Sequence, residues 1–363
     1  MAKDSGTGIE QLDVLVVGAG ISGIDAAYHL RKEHPDKSFA LLEAQEDIGG
    51  TWQTHRFPGI RSDSDLFTFG FAWKPWRGVP IATAEEILAY LKEAIAENDL
   101  GRHLRLSHRV LAADWDAEAA RWIVTAEGPE GPRTIAARFL WMCAGYYDHA
   151  RGHTPDWPGM ADFTGTIVHP QTWPEGLDYA GKRVVVIGSG ATAATIIPAM
   201  AGTAGQITML QRSPTYYFPR PRMDEFQKTL SELGLPEAEF HAIMRRKFLR
   251  DGEVTARRAR EEPEALAADF LAGVTAHLGE EQMVAEHFTP SYQPWRQRVA
   301  LVPDGDLFAT LRSGAAEIVT DSIESFTPEG LRLTSGRELA ADIIVTATGL
   351  ELSLFGDLPL RVA

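Results

Sequence analysis

The sequence predicts an α/β protein made of two dinucleotide-binding, Rossmann-like domains with a helical insertion. Three observations predict it. Two apolar stretches, residues 12–17 and 183–187, each run into a glycine-rich turn, Gly18-Ala19-Gly20-Ile21-Ser22-Gly23 and Gly188-Ser189-Gly190-Ala191-Thr192-Ala193. A continuous apolar run of this kind marks a strand buried on both faces of a parallel sheet. Between Met223 and His287 the composition then shifts to Ala, Glu, Arg and Leu. The expected layout is a first dinucleotide domain over 1–147 and a linker with the start of the second over 148–222. The insertion follows at 223–290, the rest of the second domain at 291–340, and a return to the first at 341–363.

At 363 residues the chain is long enough for two or three domains, each with its own core. Its formal charge of −15, from 50 acidic and 35 basic residues, excludes a nucleic-acid binder, which needs a basic face to displace counterions. A single cysteine, Cys143, excludes an intramolecular disulfide and a dithiol redox pair. The longest apolar run, residues 139–147, falls far short of the roughly 20 residues needed to span a bilayer. The first residues also lack the apolar core of a signal peptide, so a cytoplasmic location without a membrane span is expected.

Within the first loop, Gly18 permits the tight turn, Gly20 lets backbone approach a pyrophosphate, and Gly23 lets helix and strand pack closely. The phosphates would lie over the helix N-terminus. A strand over 39–42 ends in Glu43, twenty residues past Gly23, where an acid binds ribose hydroxyls. Seven residues later, Gly49-Gly50-Thr51-Trp52 offers bare backbone to a flat ligand. Charge beside aromatic residues fills Arg56 to Asp65, with Asp63 and Asp65 as rival acids. Thr83-Ala84-Glu85-Glu86 has the form of a capping box, and Ile87, Tyr90, Leu91 and Ile95 follow at helical spacing, which predicts a packing helix over 84–98. Strand-like runs over 104–113, 121–125 and 134–142 then form an antiparallel meander.

Residues 148–181 are rich in Pro, Gly, His and Trp and read as an ordered linker. There Phe163 and Trp173 can anchor in apolar pockets, Gly165 allows an unusual backbone angle, and His169 can hydrogen-bond across the domain seam. A lone linker histidine is more often structural than catalytic. Past the second loop, whose Gly188, Ser189, Gly190 and Thr192 would cradle phosphate, the strand over 206–210 ends in Gln211-Arg212 rather than in an acid. An arginine there suits a 2′-phosphate, which selects NADPH over NADH.

Phe240, Ile243, Met244 and Phe248 after Pro236, and Leu266, Phe270, Leu271, Val274 and Leu278 after Pro263, predict two amphipathic helices ending near Gly252 and Gly279. Two arginines, Arg296 and Arg298, precede a strand over 299–302; two residues apart in extended chain, they point the same way. Strands over 317–319, 322–326, 331–334 and 342–345 close the sequence, the last entering Thr346-Ala347-Thr348-Gly349.

Two runs together with the paired loops carry a family resemblance. These are Phe163-x-Gly165-x-x-x-His169-x-x-x-Trp173 and Gly49-Gly50-x-Trp52-x-x-x-x-Phe57-Pro58-Gly59-x-x-x-Asp63. The chain resembles the type I Baeyer–Villiger monooxygenases, in the pattern of their ethionamide-activating group. The resemblance implies FAD in the first domain, at Gly18, Gly20, Gly23, Glu43, Gly50, Thr51, Trp52, Asp63 and Gly349, and NADPH in the second, at Gly188, Ser189, Gly190, Thr192 and Arg212. It implies Arg298 as the active-site arginine, Asp63 holding it, and His169 coupling domain movement to catalysis, with no metal. The implied reaction reduces FAD with NADPH and inserts one atom of O2 into a ketone through a C4a-peroxyflavin. Oxygenation of a sulfide or amine is the alternative, and so is a nucleotide-binding member without oxygenation. The family's pattern runs on past Ala363, so the return segment 341–363 is expected to be truncated.

Overall fold

The computed structural model describes residues 8–223 and 225–362. The chain divides into two compact units: Met1–Thr54, Ala84–Arg151 and Leu350–Ala363 form the first, and His55–Thr83 with Gly152–Gly349 form the second.

The first unit is built on a seven-stranded sheet. Its order is Leu360–Val362, Arg109–Asp116, Arg121–Gly128, Gly131–Met142, Glu10–Val17, Phe39–Leu42 and Leu104–Arg105. Glu10–Val17 runs between Gly131–Met142 and Phe39–Leu42, parallel to both, with Leu15 and Val16 wholly buried. The helices Ile21–Glu33 and Ala84–Glu97 pack against each other through apolar faces that include Ile24, Ala27, Ile87 and Leu91. The run expected as one strand over 104–113 is two. Ser107 has φ +54°, its N–H donates to the Gln45 carbonyl, and the left-handed turn sends Leu104–Arg105 to Phe39–Leu42 and Arg109–Asp116 to the meander.

The second unit holds a five-stranded parallel sheet in the order Glu317–Thr320, Gln206–Gln211, Arg183–Ile187, Ile343–Thr346, Thr166–Val168. Alternate residues of Arg183–Ile187 feed two separate cores. Val184 and Val186 join Ile196, Ile197 and Phe308 on one face, while Val185 and Ile187 join Phe163, Leu210 and Phe326 on the other. A parallel pair, Tyr216–Arg220 with Val299–Pro303, and an antiparallel three-stranded sheet over Ile323–Thr327, Gly330–Leu333 and Glu338–Ala340 complete its strands.

Three expectations change here. The stretch read as linker contributes Thr166–Val168 to the edge of the second sheet. In it, Gly165 has no left-handed angle; a Cβ would stand 2.5 Å from the Asp342 carbonyl oxygen, so close approach of backbone is what requires glycine. The first long insertion helix does not stop at Gly252 but spans Glu237–Glu261, ending ahead of Pro263. Open space surrounds Gly252, and an interior glycine costs a helix only about 1 kcal/mol relative to alanine. Gly279 does end its helix, in the left-handed conformation at φ +78°.

The third change concerns His55–Thr83, assigned from sequence to the first domain. It packs in the second unit, where Arg61 donates to both carboxylate oxygens of Asp306 at 2.6 and 3.2 Å, and it is closed on itself by the Ser62 N–H donating to the Ala82 carbonyl. Gly59, at φ +75°, lies against the helix Ala191–Met200, where a Cβ would come 2.6 Å from the Ala199 side chain. No helix among the described residues is long and apolar enough to cross a membrane.

Candidate functional site

In the first unit the turn after Glu10–Val17 has the form that a pyrophosphate cradle needs. Gly18 takes φ +101°, and a Cβ there would collide with the Cys143 carbonyl oxygen; at Gly23 it would collide with the Gly18 carbonyl. Gly20 and Gly50 face each other backbone to backbone, 3.3 Å from a Gly50 Cβ to the Gly20 Cα, so the Gly49–Trp52 turn closes directly onto the first loop. The Gly49 N–H donates to the Ala19 carbonyl and fixes that closure. Thr51 and Trp52 begin the short helix Thr51–Thr54. Glu43 is buried, with one carboxylate oxygen accepting from the Ala19 N–H at 2.7 Å and the other from Gln45 N–H at 2.9 Å. A carboxylate so held at a strand end beside the loop can receive ribose hydroxyls. Burial pushes the neighbouring Cys143 thiol up to about 11, so it stays protonated.

The second unit repeats the motif. Gly188 takes φ +133° against the Ala347 carbonyl, while nothing lies within 4 Å of a Gly190 Cβ, which leaves the loop open above the N-terminus of Ala191–Met200. Thr192 is the second residue of that helix. The Ser189 hydroxyl turns inward, 2.7 Å from Thr215 Oγ1, and the wholly buried Tyr217 donates its hydroxyl to the Ser189 carbonyl at 2.7 Å. Tyr217 and Thr215 went unnoticed in the sequence; the only signal was their place just after the Arg212 strand.

Arg212 is exposed at the end of Gln206–Gln211 and makes no ion pair among the described residues. Its neighbour Gln211 is buried and donates to the His287 carbonyl at 2.7 Å and to Thr320 Oγ1 at 2.8 Å. Strand alternation therefore turns Arg212 outward, where a phosphate can meet it.

Asp63 and Arg298 come together in the second unit. Arg298 Nη2 donates to Asp63 Oδ2 at 3.4 Å, and the side chains are 42% (Asp63) and 63% (Arg298) exposed. Asp65, the rival acid, is occupied as a helix cap: its carboxylate accepts from Thr68 N–H at 2.8 Å and from the Thr68 hydroxyl at 2.7 Å. Arg296 makes no ion pair among the described residues.

His169 is half-buried, and its ring has both nitrogens engaged. Nδ1 accepts from Gln171 N–H at 3.1 Å, which leaves Nε2 to donate to the Gly349 carbonyl at 2.9 Å. That carbonyl also accepts from His153 N–H, and the ring packs onto Gly152 so closely that a Cβ there would overlap it. Burial pushes the imidazole below its ordinary range, the Gly349 bond opposing it, so the ring is neutral at neutral pH. Phe163 and Trp173 anchor the flanks in the two cores of the second unit.

Two glycine loops, a buried Glu43 beside the first and an outward Arg212 beside the second are the arrangement that two dinucleotide cofactors need. Comparison with known proteins agrees. Residues 16–76 match the NAD(P)-binding Rossmann-like domain and residues 80–229 the flavin-binding monooxygenase-like family. The FAD-containing monooxygenase EthA of Mycolicibacterium smegmatis is 48% identical over 349 residues, covering 96% of this chain and 71% of that protein. A steroid monooxygenase solved with NADP superposes with a TM-score of 0.77 at 28% identity, over 97% of this chain and 73% of its own. Cyclohexanone monooxygenase shares the fold, with a TM-score of 0.79 at 23% identity over 97% of this chain and 76% of its own. The chain belongs to the flavin-binding monooxygenase family, with FAD and NADP as its cofactors.

Proposed function

We propose that the protein is a Baeyer–Villiger monooxygenase that converts a ketone to an ester or lactone, consuming NADPH and O2 and releasing NADP+ and water. The observation that carries this reading is the Arg298–Asp63 pair, held in the unit that also bears the nicotinamide loop. Bound FAD, once reduced by NADPH, supplies the oxygen activation. The rest falls to side chains of this chain.

Gly18, Gly20, Gly23 and Gly50 bring bare backbone to the FAD pyrophosphate, and Glu43 holds its ribose. Gly188, Ser189, Gly190 and Thr192 do the same for NADPH, and Arg212 receives the 2′-phosphate. Arg298 keeps its charge at any working pH, so its N–H groups can donate to the substrate carbonyl and to the negative charge that grows on oxygen during attack. Asp63 accepts from that guanidinium and aims it. His169, neutral and bonded at both nitrogens, positions backbone and moves no proton.

The test supplies NADPH, isotopically labelled O2 and either a ketone or a sulfide to the FAD-loaded protein. Label in an ester, matched by NADPH consumed, supports the reading. Labelled sulfoxide with the ketone untouched would replace it with sulfur oxygenation, and NADPH oxidation without labelled product would reject oxygenation altogether.

A further inference from the structure

A buried phenol holds the second glycine loop in place. Tyr217 is 1% exposed, stands on Tyr216–Arg220 in register with Ala300, and turns its ring toward Phe288 and Phe308, with centroids 5.6 and 6.0 Å away. The core therefore fixes where its hydroxyl lies. That hydroxyl donates to the Ser189 carbonyl at 2.7 Å, and burial pushes the phenol far above its ordinary range, so it keeps its proton. From two residues earlier, Thr215 holds the Ser189 side chain, Oγ1 to Oγ at 2.7 Å.

A trans peptide points its carbonyl and the following N–H in opposite directions. With the Ser189 carbonyl drawn onto Tyr217, the Gly190 N–H turns away from Tyr217, and it meets no acceptor among the described residues. The N–H groups of Ala191, Thr192 and Ala193 have no partner in the helical ladder either, whose first bond runs from the Ala194 N–H to the Gly190 carbonyl. The peptide before Gly190 is also the one most able to turn over. A flip would carry Gly190 from φ −81° to positive φ, which glycine accepts at little cost, and would set a carbonyl oxygen where a phosphate needs a donor.

We propose that Tyr217 is a positioning residue for the nicotinamide dinucleotide: its hydroxyl locks the Ser189–Gly190 peptide so that the Gly190 N–H donates to the pyrophosphate. The proposal rests on the reading that this loop receives that pyrophosphate, and it sets Tyr217 apart from Arg212. Tyr217 acts on the part common to NADP+ and NAD+, whereas Arg212 acts on the 2′-phosphate that NADP+ alone carries.

Calorimetric titration of the FAD-loaded protein separates the two effects with three probes: NADP+, NAD+ and adenosine 2′-monophosphate, which has no pyrophosphate. Tyr217→Phe keeps the ring and its packing. It should weaken NADP+ and NAD+ by the same factor, about tenfold for one donor to a charged phosphate, and leave adenosine 2′-monophosphate unchanged. Unchanged dinucleotide binding would overturn the proposal. Equal weakening of all three probes, or a collapsed thermal melt, would overturn it too and make the hydroxyl a general support of the fold. Arg212→Ala weakening NAD+ as much as NADP+ would instead fault the placing of the 2′-phosphate and leave the Tyr217 result standing. None of the titrations depends on whether turnover yields an ester or a sulfoxide.

Discussion

Replacing Asp63 with alanine should separate catalysis from stability. The carboxylate meets Arg298 at 3.4 Å with the side chains 42% and 63% exposed, and an exposed pair of this kind contributes about 0 to 1 kcal/mol. For a unit of this size each kcal/mol moves the melting temperature by about 2 to 4 °C, so Asp63→Ala should lower it by less than about 4 °C. Arg61→Ala is the internal contrast. That side chain is 20% exposed, its partner Asp306 is 30% exposed, and both bonds are charge-assisted, so about 1.5 to 3 kcal/mol and about 3 to 12 °C are at stake. Turnover should invert the order of effects. Arg298→Ala removes a donor aimed at developing charge, a loss of about 100- to 1000-fold in kcat, and Asp63→Ala loses the part of this that depends on aim. The assay couples thermal melts and flavin absorbance with stopped-flow reduction and product yield for both single variants and the double. The FAD cradle lies in the first unit, so flavin content should hold in all three. The double variant should be little slower than Arg298→Ala. Losses that multiply would refute the pairing, and a large fall in melting temperature for Asp63→Ala would show that its role is structural.

Arg212→Ala removes the proposed charged partner of the 2′-phosphate, worth about 1.5 to 3 kcal/mol, so NADPH should weaken tenfold or more while NADH barely changes; equal losses in both titrations would place the 2′-phosphate elsewhere. His169 is held below its ordinary value of 6.5 by burial, so the fold favours the neutral ring. Its contribution is therefore complete above pH 6.5 and is lost as pH falls through the depressed value. The melting-temperature gap between the parent and His169→Gln, followed from about pH 8 to about pH 5, should narrow only on the acid side. A gap that does not change with pH would mean that burial does not hold the ring's titration below its unfolded value.

What could be read from the sequence was what short range encodes. An apolar strand, a glycine turn and a helix start are contiguous, so Gly18 and Gly23 could be given their steric tasks, and the structure sets a carbonyl against each, as it does against Gly188 of the second loop. The places of Glu43 and Arg212, each just past the end of a strand, were legible because those strands follow the turns at fixed distances. Chain-distant contacts were not legible. Arg61 and Asp306 stand 245 residues apart, and no local pattern says that Phe57 to Asp63 leaves the domain in which Gly49 to Trp52 remains. Thr166–Val168 is too short to show alternation, and its standing as a strand comes from pairing with Ile343–Thr346. Tyr217 lies in a stretch to which the sequence assigns no element; its bond to Ser189 appears only once the chain is folded.

These distant contacts change how the two diagnostic motifs act. The run from Gly49 to Asp63 is one motif in the sequence but is divided at Thr54–His55, its first part closing on the flavin cradle and its second part fastened by Arg61 and Gly59 within the second unit. Lesions at Phe57 to Asp63 should therefore register in the arginine's chemistry before they register in flavin retention. His169 follows the same logic. Gly152 and Gly349 are the first and last residues of the long stretch of chain in the second unit, and one neutral ring packs on the former while its Nε2 holds the carbonyl of the latter. A ring whose Nε2–H is committed to the Gly349 carbonyl and whose Nδ1 accepts from Gln171 N–H has no free N–H to give, so the role proposed for it is to fix where the chain enters and leaves that unit. A catalytic acid at this position would need a free nitrogen, and the Gln171 N–H takes the one that Gly349 leaves.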